Sequence, residues 1–530
     1  MRSILILFSK KNIDLLDKHY SIFYSFFFLF FIGNFQFLGN FIFPGKFINY
    51  SILIFCLLSL FLNLRHVPNW KNIKFFIFIN SLIISILGVS SYGLKLHYDA
   101  AAYHIGHQNW ILESNIVFGL NNLNYFYSWS GLNEYILSFF YRSNDYVFLH
   151  YPELIAFTTF FSFLIKRLLN FKNLYEFVFI QNIVLFSLLD NVGFKGGGNG
   201  FLAILMLGKP SILYGVCSFF FIYNFFNMLV EKKYENHNLV ILVFLFTYLI
   251  QLRIIGIYLL PLLLIYFYNY SAQSSINDTK IYKILISPII LGFLWIIKNV
   301  IITGCLLFPI NVTCFDQFSW YDQENTDHVN KINESWPYSY TVGENIYSWF
   351  INFVQNEKYL QIFTNFFLSL FIIYVFNKLL YKKIRLFNIE GKSNKFLLIL
   401  FLFLSFLFWM YVGSIYRYGF ALWLSIASFL LVPDKNTNLR YLKIKTLNKF
   451  LIAMIFISIL LIPRMYSYRN FIENPFNLPE ITEPIKNNSS EYYYPNDNLC
   501  WSNLNCIFNN DQQEITSRNI SIWKLFQVDE

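Results

Sequence analysis

Apolar runs of similar length, separated by short polar segments, fill most of this chain. A membrane-crossing helix needs roughly 17 to 25 such residues. Runs of that order fall near 20–43, 47–64, 74–94, 145–165, 174–190, 209–230, 284–302, 359–378, 396–412, 416–432 and 450–463. The block 239–269 is too long for one helix, and charge decides how to read it, because Lys and Arg gather in cytoplasmic loops. Arg2, Lys10, Lys11 and Lys18 place the N-terminus inside. Lys382, Lys383, Arg385, Lys392 and Lys395 mark a later inside segment, and so do Lys435, Arg440, Lys443, Lys445 and Lys449. Segment 96–141 carries no Lys or Arg, and 303–357 carries only Lys331, so both face outward. For 284–302 to run outward, Lys280 and Lys283 must lie inside. The block 239–269 then becomes a hairpin with its tip at Gln251-Leu252-Arg253. The pattern predicts an all-α integral membrane protein of 13 transmembrane helices, N-terminus cytoplasmic and C-terminus exterior.

Composition points the same way. Apolar residues make up 56% and aromatic residues 22%, while charged residues fall to 13%, against about 25% in an ordinary globular chain. These proportions exclude a soluble multi-domain enzyme and a disordered chain, and six Cys are too few for a disulfide scaffold. The net charge of +10 is assigned to the inside loops, so no nucleic-acid partner is expected. The Gly-rich stretch Lys195-Gly196-Gly197-Gly198-Asn199-Gly200 lacks the Lys-Ser/Thr ending of a phosphate loop and reads as an outer turn. Two parts are expected: a transmembrane module over 1–463, with outer loops 95–144 and 303–357, and an exterior tail over 464–530. In the tail Cys500 and Cys506 are spaced for a small disulfide-closed loop.

Candidate chemistry centres on His97-Tyr98-Asp99-Ala100-Ala101-Ala102-Tyr103-His104, followed by His107 and Trp110. Helical spacing puts Tyr103, His107 and Trp110 on one face after Asp99, which predicts an amphipathic helix lying on the outer membrane surface. Asp99 reads either as the N-cap of that helix or as a catalytic carboxylate able to take a proton or hold a divalent metal. The cluster His97, Asp99, His104 and His107 matches no zinc spacing, which favours substrate hydrogen bonding by His97, Tyr103 and His104. Glu113 and Glu134 are possible partner carboxylates, though each reads more readily as a solvated helix residue. Arg253, Lys298 and Arg417 fall at the same outer interface in the predicted topology, where cations suit a lipid phosphate. The second outer loop, with Asp316, Trp320, Asp322, Glu324 and Asp327, reads equally as an acceptor groove or as ordinary interfacial aromatics.

An Asp opening a surface helix in the first large outer loop resembles the GT-C superfamily of polytopic membrane glycosyltransferases. The stretch His97-Tyr98-Asp99…Tyr103-His104…Trp110…Gly119-Leu120…Asn122 is more similar still to an uncharacterised bacterial family of GT-C-like multi-pass membrane proteins. Trp295…Lys298-Asn299…Thr303-Gly304…Leu307-Phe308-Pro309, Arg417, and Cys500-Trp501…Cys506 extend that resemblance. It implies a GT-C-like bundle in the bacterial inner membrane. It also implies transfer from a polyprenyl-phosphate-linked sugar to a cell-envelope glycan, lipid or protein, with membrane lipid around it. Asp99 would be the catalytic or metal-binding residue, with Mg or Mn as the metal. Arg253, Lys298 and Arg417 would meet the phosphate. The alternatives are a polysaccharide polymerase or ligase, a transporter or lipid flippase, and an inactive scaffold of the same fold.

Overall fold

A computed structural model describes residues 24–64, 78, 80–85, 99–141, 146–169, 171, 174–193, 211–231, 236–273, 279–335, 346–381, 400–401, 403–405, 416–432, 484–486, 492–496, 499–501, 503–504, 506–507 and 515–528. In chain order the N-terminal helices are α1 (Tyr24–Asn40) and α2 (Gly45–Leu64), then a single π-helical turn (Ala100–His104) leading into α3 (Ile105–Glu113). Next come α4 (Leu132–Phe140), α5 (Tyr151–Leu169), α6 (Leu174–Gly193), α7 (Ser211–Glu231) and α8 (Asn236–Leu252). They are followed by α9 (Leu260–Gln273), α10 (Thr279–Thr303), α11 (Gln323–Ser335), α12 (Ile346–Gln355), α13 (Glu357–Tyr381) and α14 (Tyr416–Leu430). Short strands close the chain: β1 (Ile485–Lys486) pairs antiparallel with β2 (Tyr493–Tyr494), and β3 (Ile515–Ile520) with β4 (Trp523–Val528).

The core forms around α7, which packs against α5, α8 and α14. Its aromatic residues cluster over Phe219–Phe226, and their rings meet rings from neighbouring helices. Phe163 meets Tyr223 at 4.7 Å, Phe160 meets Phe219 at 4.9 Å, and Phe226 stacks on Phe429 at 4.0 Å. Such pairs contribute about 0.5–1.5 kcal/mol each beyond the area they bury. Where polar side chains enter this core they answer one another. Glu176 accepts from Tyr223 Oη at 2.7 Å and pairs with Arg167 at 3.1 Å. Asn377 donates to Asn182 at 2.7 Å and to the Leu431 carbonyl.

This architecture corrects the expected bundle of thirteen spans. Among the described residues three helical segments are long and apolar enough to cross a membrane: Phe148–Leu168, Ile254–Ser271 and Ile286–Thr303. The expected multi-pass inner-membrane placement, with its inside N-terminus and outside C-terminus, rested on that count and is corrected with it. The physical reason is that a helix apolar all round asks only to be buried, and a protein interior satisfies it as well as lipid does. The span-length segment in α5 is 83% buried within the protein. Other apolar runs are cut into shorter pieces. The run 20–43 yields α1 of 17 residues, and the block 239–269 is broken at Arg253, where a 3-10 turn (Ile254–Leu259) leads into α9. The predicted runs 74–94 and 396–412 lie largely, and 450–463 wholly, outside the described residues.

The all-α expectation is also corrected in the tail. Ile515–Ile520 and Trp523–Val528 form a hairpin whose turn places Ser521 at φ 57°, and Cys500–Cys506 closes a loop beside it. A second disulfide, Cys305–Cys314, pins the loop after α10. The tail then docks onto the helical body. Phe118 N–H donates to the Lys524 carbonyl, Phe526 N–H donates to the Phe118 carbonyl, and Trp523 Nε1 donates to the Phe41 carbonyl.

Candidate functional site

The Asp99-to-Trp110 stretch is not a surface helix. Residues Ala100–His104 are all buried, as are Ile105–Gln108 and Trp110–Leu112 of α3. Three successive alanines let this backbone sit deep in the fold without large side chains. The turn they form is π-helical: Ile105 N–H bonds the Ala100 carbonyl, five residues back. Such widened turns re-aim the residues that follow them and recur at functional sites. Here the residue re-aimed is His104.

Its ring meets a carboxylate from α4. His104 Nδ1 lies 2.7 Å from Glu134 Oε1, with both side chains only 4% exposed. Gln108 Nε2, one helical turn further along, donates to Glu134 Oε2 at 3.3 Å, so both carboxylate oxygens are engaged. Glu134 sits in the first turn of α4 behind Gly131, where the helix dipole favours negative charge. Gly131 is required there, since a Cβ would come within 2.6 Å of the Leu252 carbonyl oxygen. Burial by itself would raise the Glu134 carboxyl. The facing His104, then His107 and the Gln108 amide, outweigh it and hold the group below its usual range. With Nδ1 committed, the other ring nitrogen of His104, Nε2, is buried and has no hydrogen-bond partner among the described residues.

Lys298 enters the same region, where burial, partly opposed by Glu134, lowers its pKa to about 7, so near pH 7 it is only partly charged. It comes from α10, is fully buried, donates from Nζ to the Ser130 carbonyl at 2.9 Å, and rests 3.9 Å over the Trp295 ring. Tyr103 forms an aromatic wall beside the pair, 4.2 Å from the His104 ring and stacked on Phe126 at 5.0 Å, with Trp129 against Phe126 at 4.8 Å. Tyr127 brings a buried phenol whose oxygen has no partner, and burial holds its pKa above the ordinary value.

His107 plays a different part. Burial, opposed by Glu134 and reinforced by Lys298 and His104, lowers its pKa to about 3, so the ring is neutral near pH 7. It borders a cavity of about 10 Å³ lined also by Trp110, Asn115, Tyr135 and Ile302, room for roughly one water. That confines it to packing. Its linkage to stability has a definite sign. Below about pH 6.5 the unfolded chain takes up a proton that the folded ring refuses, so stability is lost progressively from about 6.5 toward 3. Glu134 works in the same sense only below the carboxylate range. The share of His107 is a drop of about 2 kcal/mol in unfolding free energy between pH 6.5 and 5. His150, also lowered to about 3 by burial, adds in the same sense and Glu153, raised by burial, opposes it, so His107→Asn is expected to remove about 2 kcal/mol from the change. Denaturant titrations at the two pH values measure it.

The structure thus brings Tyr103, His104 and Lys298 together around Glu134. Glu134 is buried, which corrects the expectation of a solvated residue, whereas Glu113 is the exposed partner of Lys46 at 2.6 Å. Asp99 is half-buried at the head of the π turn, and its side chain makes no capping hydrogen bond to it. Arg253 opens the 3-10 turn after α8 in extended backbone. Arg417 lies in the first turn of α14, its side chain outside what is described, and His97 lies outside the described residues. Among the described residues no group of three or more His, Cys, Asp or Glu is placed to hold a metal ion. In the second loop, Asp322 caps α11 through the N–H groups of Glu324 and Asn325, and Trp320 Nε1 donates to the Val300 carbonyl, so both serve the fold.

The sequence model of one protein family, described as Domain of unknown function (DUF8201), matches residues 18–424. The chain belongs to that family. Its match covers the whole His104–Glu134–Lys298 cluster and ends ahead of the tail. No curated protein and no solved structure matches the chain. The resemblance to GT-C transferases is therefore corrected. The matching family is DUF8201, and the described residues do not build the many-span bundle that the GT-C mechanism presupposes. Glycosyltransferase activity, the polymerase, ligase and flippase alternatives, the polyprenyl-phosphate donor, and the membrane-lipid and glycan partners all rested on that bundle and are withdrawn with it. The motifs behind the resemblance are short, and local folding accounts for two of them: Lys298 binds a backbone carbonyl, and the Cys500–Cys506 element closes a loop.

Proposed function

We propose that this DUF8201 module is an acid–base catalytic module in which the Glu134–His104 pair takes a proton from a water or hydroxyl group. The observation that carries this reading is the division of labour on one buried ring: Nδ1 is tied to Glu134, while Nε2 has no hydrogen-bond partner among the described residues. A carboxylate on Nδ1 selects the tautomer with its proton there and leaves the Nε2 lone pair as the base. The same carboxylate then stabilises the imidazolium that forms. Gln108 keeps Glu134 from rotating away. A base of this kind takes a proton from a small hydroxylic group that reaches Nε2, and hydrolysis by an activated water is the simplest reaction it would serve.

The test is release of nitrophenolate from p-nitrophenyl acetate, followed for the wild type, His104→Gln and Glu134→Gln. General-base catalysis by a positioned side chain is worth about 10²–10⁴-fold. We expect a loss of that order in His104→Gln and a substantial loss in Glu134→Gln. No turnover by the wild type, or equal rates in wild type and His104→Gln, would overturn the reading.

A further inference from the structure

We infer that the Cys500–Cys506 loop of the tail is a positioning element for His104, acting through the backbone of Trp501. It rests on the reading of His104 and Glu134 as the working pair. Trp501 N–H donates to the Ala101 carbonyl at 2.8 Å, within the π turn that ends at His104. In a widened turn each carbonyl must reach one residue further along the chain for its partner. The tail supplies a donor to one of these carbonyls from outside the helix. Around that bond the Trp501 side chain is buried in a small cluster with Ala100, Ala101, Ile105 and Tyr146, which seats the loop on the turn.

The loop is built to hold that donor. The disulfide joins the residue before Trp501 to Cys506, Asn503 N–H returns to the Cys500 carbonyl, and Ile507 N–H bonds the Tyr493 carbonyl. Trp501 itself sits at φ 51°, in the left-handed region that a bulky residue occupies only when its surroundings impose it. Any non-glycine residue there is strained, and the strained peptide is the one whose N–H reaches Ala101. The loop lies beyond the residues matched by the family model. A segment outside the matched residues thereby sets the geometry of a histidine inside them.

The test reads geometry and not activity. In protein carrying 15N-labelled histidine, a hydrogen-bonded Nδ1–H gives a far-downfield proton resonance, assigned to His104 by its loss in His104→Gln and Glu134→Gln. Opening the loop with Cys500→Ser/Cys506→Ser is expected to speed exchange of that proton with water about tenfold, the scale of one lost hydrogen bond. Trp501→Gly, which relieves the backbone strain and removes the ring from its cluster, is expected to do the same, and it carries the test if the double variant does not fold. Cys305→Ser/Cys314→Ser removes the other disulfide and is expected to leave the exchange rate unchanged. Unchanged exchange in the loop variants, or equal acceleration when either disulfide is removed, overturns the positioning role and leaves the acid–base reading standing. A resonance that survives His104→Gln, or is absent from the wild type, overturns both.

Discussion

Lys298→Ala is expected to destabilise the protein by about 2–5 kcal/mol, the range for cutting a long buried side chain back to alanine. The lysine is fully buried, so its loss leaves the Ser130 carbonyl without this donor and removes a partly protonated amine that interacts with Glu134. It also empties the space over the Trp295 ring. The decisive comparison is a cycle with Glu134→Gln. If the two charges balance each other, Lys298→Met combined with Glu134→Gln costs less than the sum of the single changes, with a coupling of about 0.5–3 kcal/mol. Denaturant midpoints of the four proteins measure it, and strict additivity would show that Lys298 serves only Ser130.

Gly119→Ala is the second large effect, at about 2–5 kcal/mol. Gly119 stands at φ +65°, where an added Cβ costs roughly 1–2 kcal/mol, and overpacking adds about 1–3 kcal/mol. A Cβ there would press on the Phe526 carbonyl oxygen and lie 2.8 Å from Trp320 Cβ. Neither neighbour can yield cheaply, because the first is backbone of β4 and the second belongs to a ring stacked on Phe318 at 4.4 Å. The strain falls on the seam between residue 118 and the tail hairpin, so faster proteolysis of the tail is expected to accompany the fall in stability. Gly292→Ala supplies the contrast. No atom lies within 4 Å of its added Cβ, inside α10, and a stabilisation of about 0.5–1 kcal/mol is expected there.

Part of the site was legible from residue types alone. The Asp99–Trp110 stretch drew attention because histidines and aromatic residues crowd a segment without Lys or Arg, and His104 and Tyr103 do line the buried pair. Glu134 was passed over as solvated. The signal that could have marked it is its place as the lone charged residue in Leu132–Phe140, a mostly apolar helix. Nothing local could have paired it with a histidine thirty residues earlier. The tail hairpin was missed for another reason. Its two-residue turn is Ser521-Ile522, without the Asn-Gly or Asp-Gly that usually announces such turns. The π turn was invisible because three alanines are equally at home in a regular helix.

By itself the order of residues determined where helices would form and how strongly they would seek burial. The runs 209–230 and 416–432 became α7 and α14 nearly residue for residue, and the block 239–269 broke at Arg253. These outcomes depend on periodicity and chain length, which are local. What would cover those apolar faces was decided only in three dimensions, because burial against a neighbouring helix and burial in lipid satisfy the same hydrophobic demand. The same holds for the charges. Whether Glu134 meets water or His104, and whether Lys298 reaches lipid phosphate or the Ser130 carbonyl, depends on how α3, α4 and α10 pack, and electrostatic energy at a few ångströms follows that placement and not the distance along the chain.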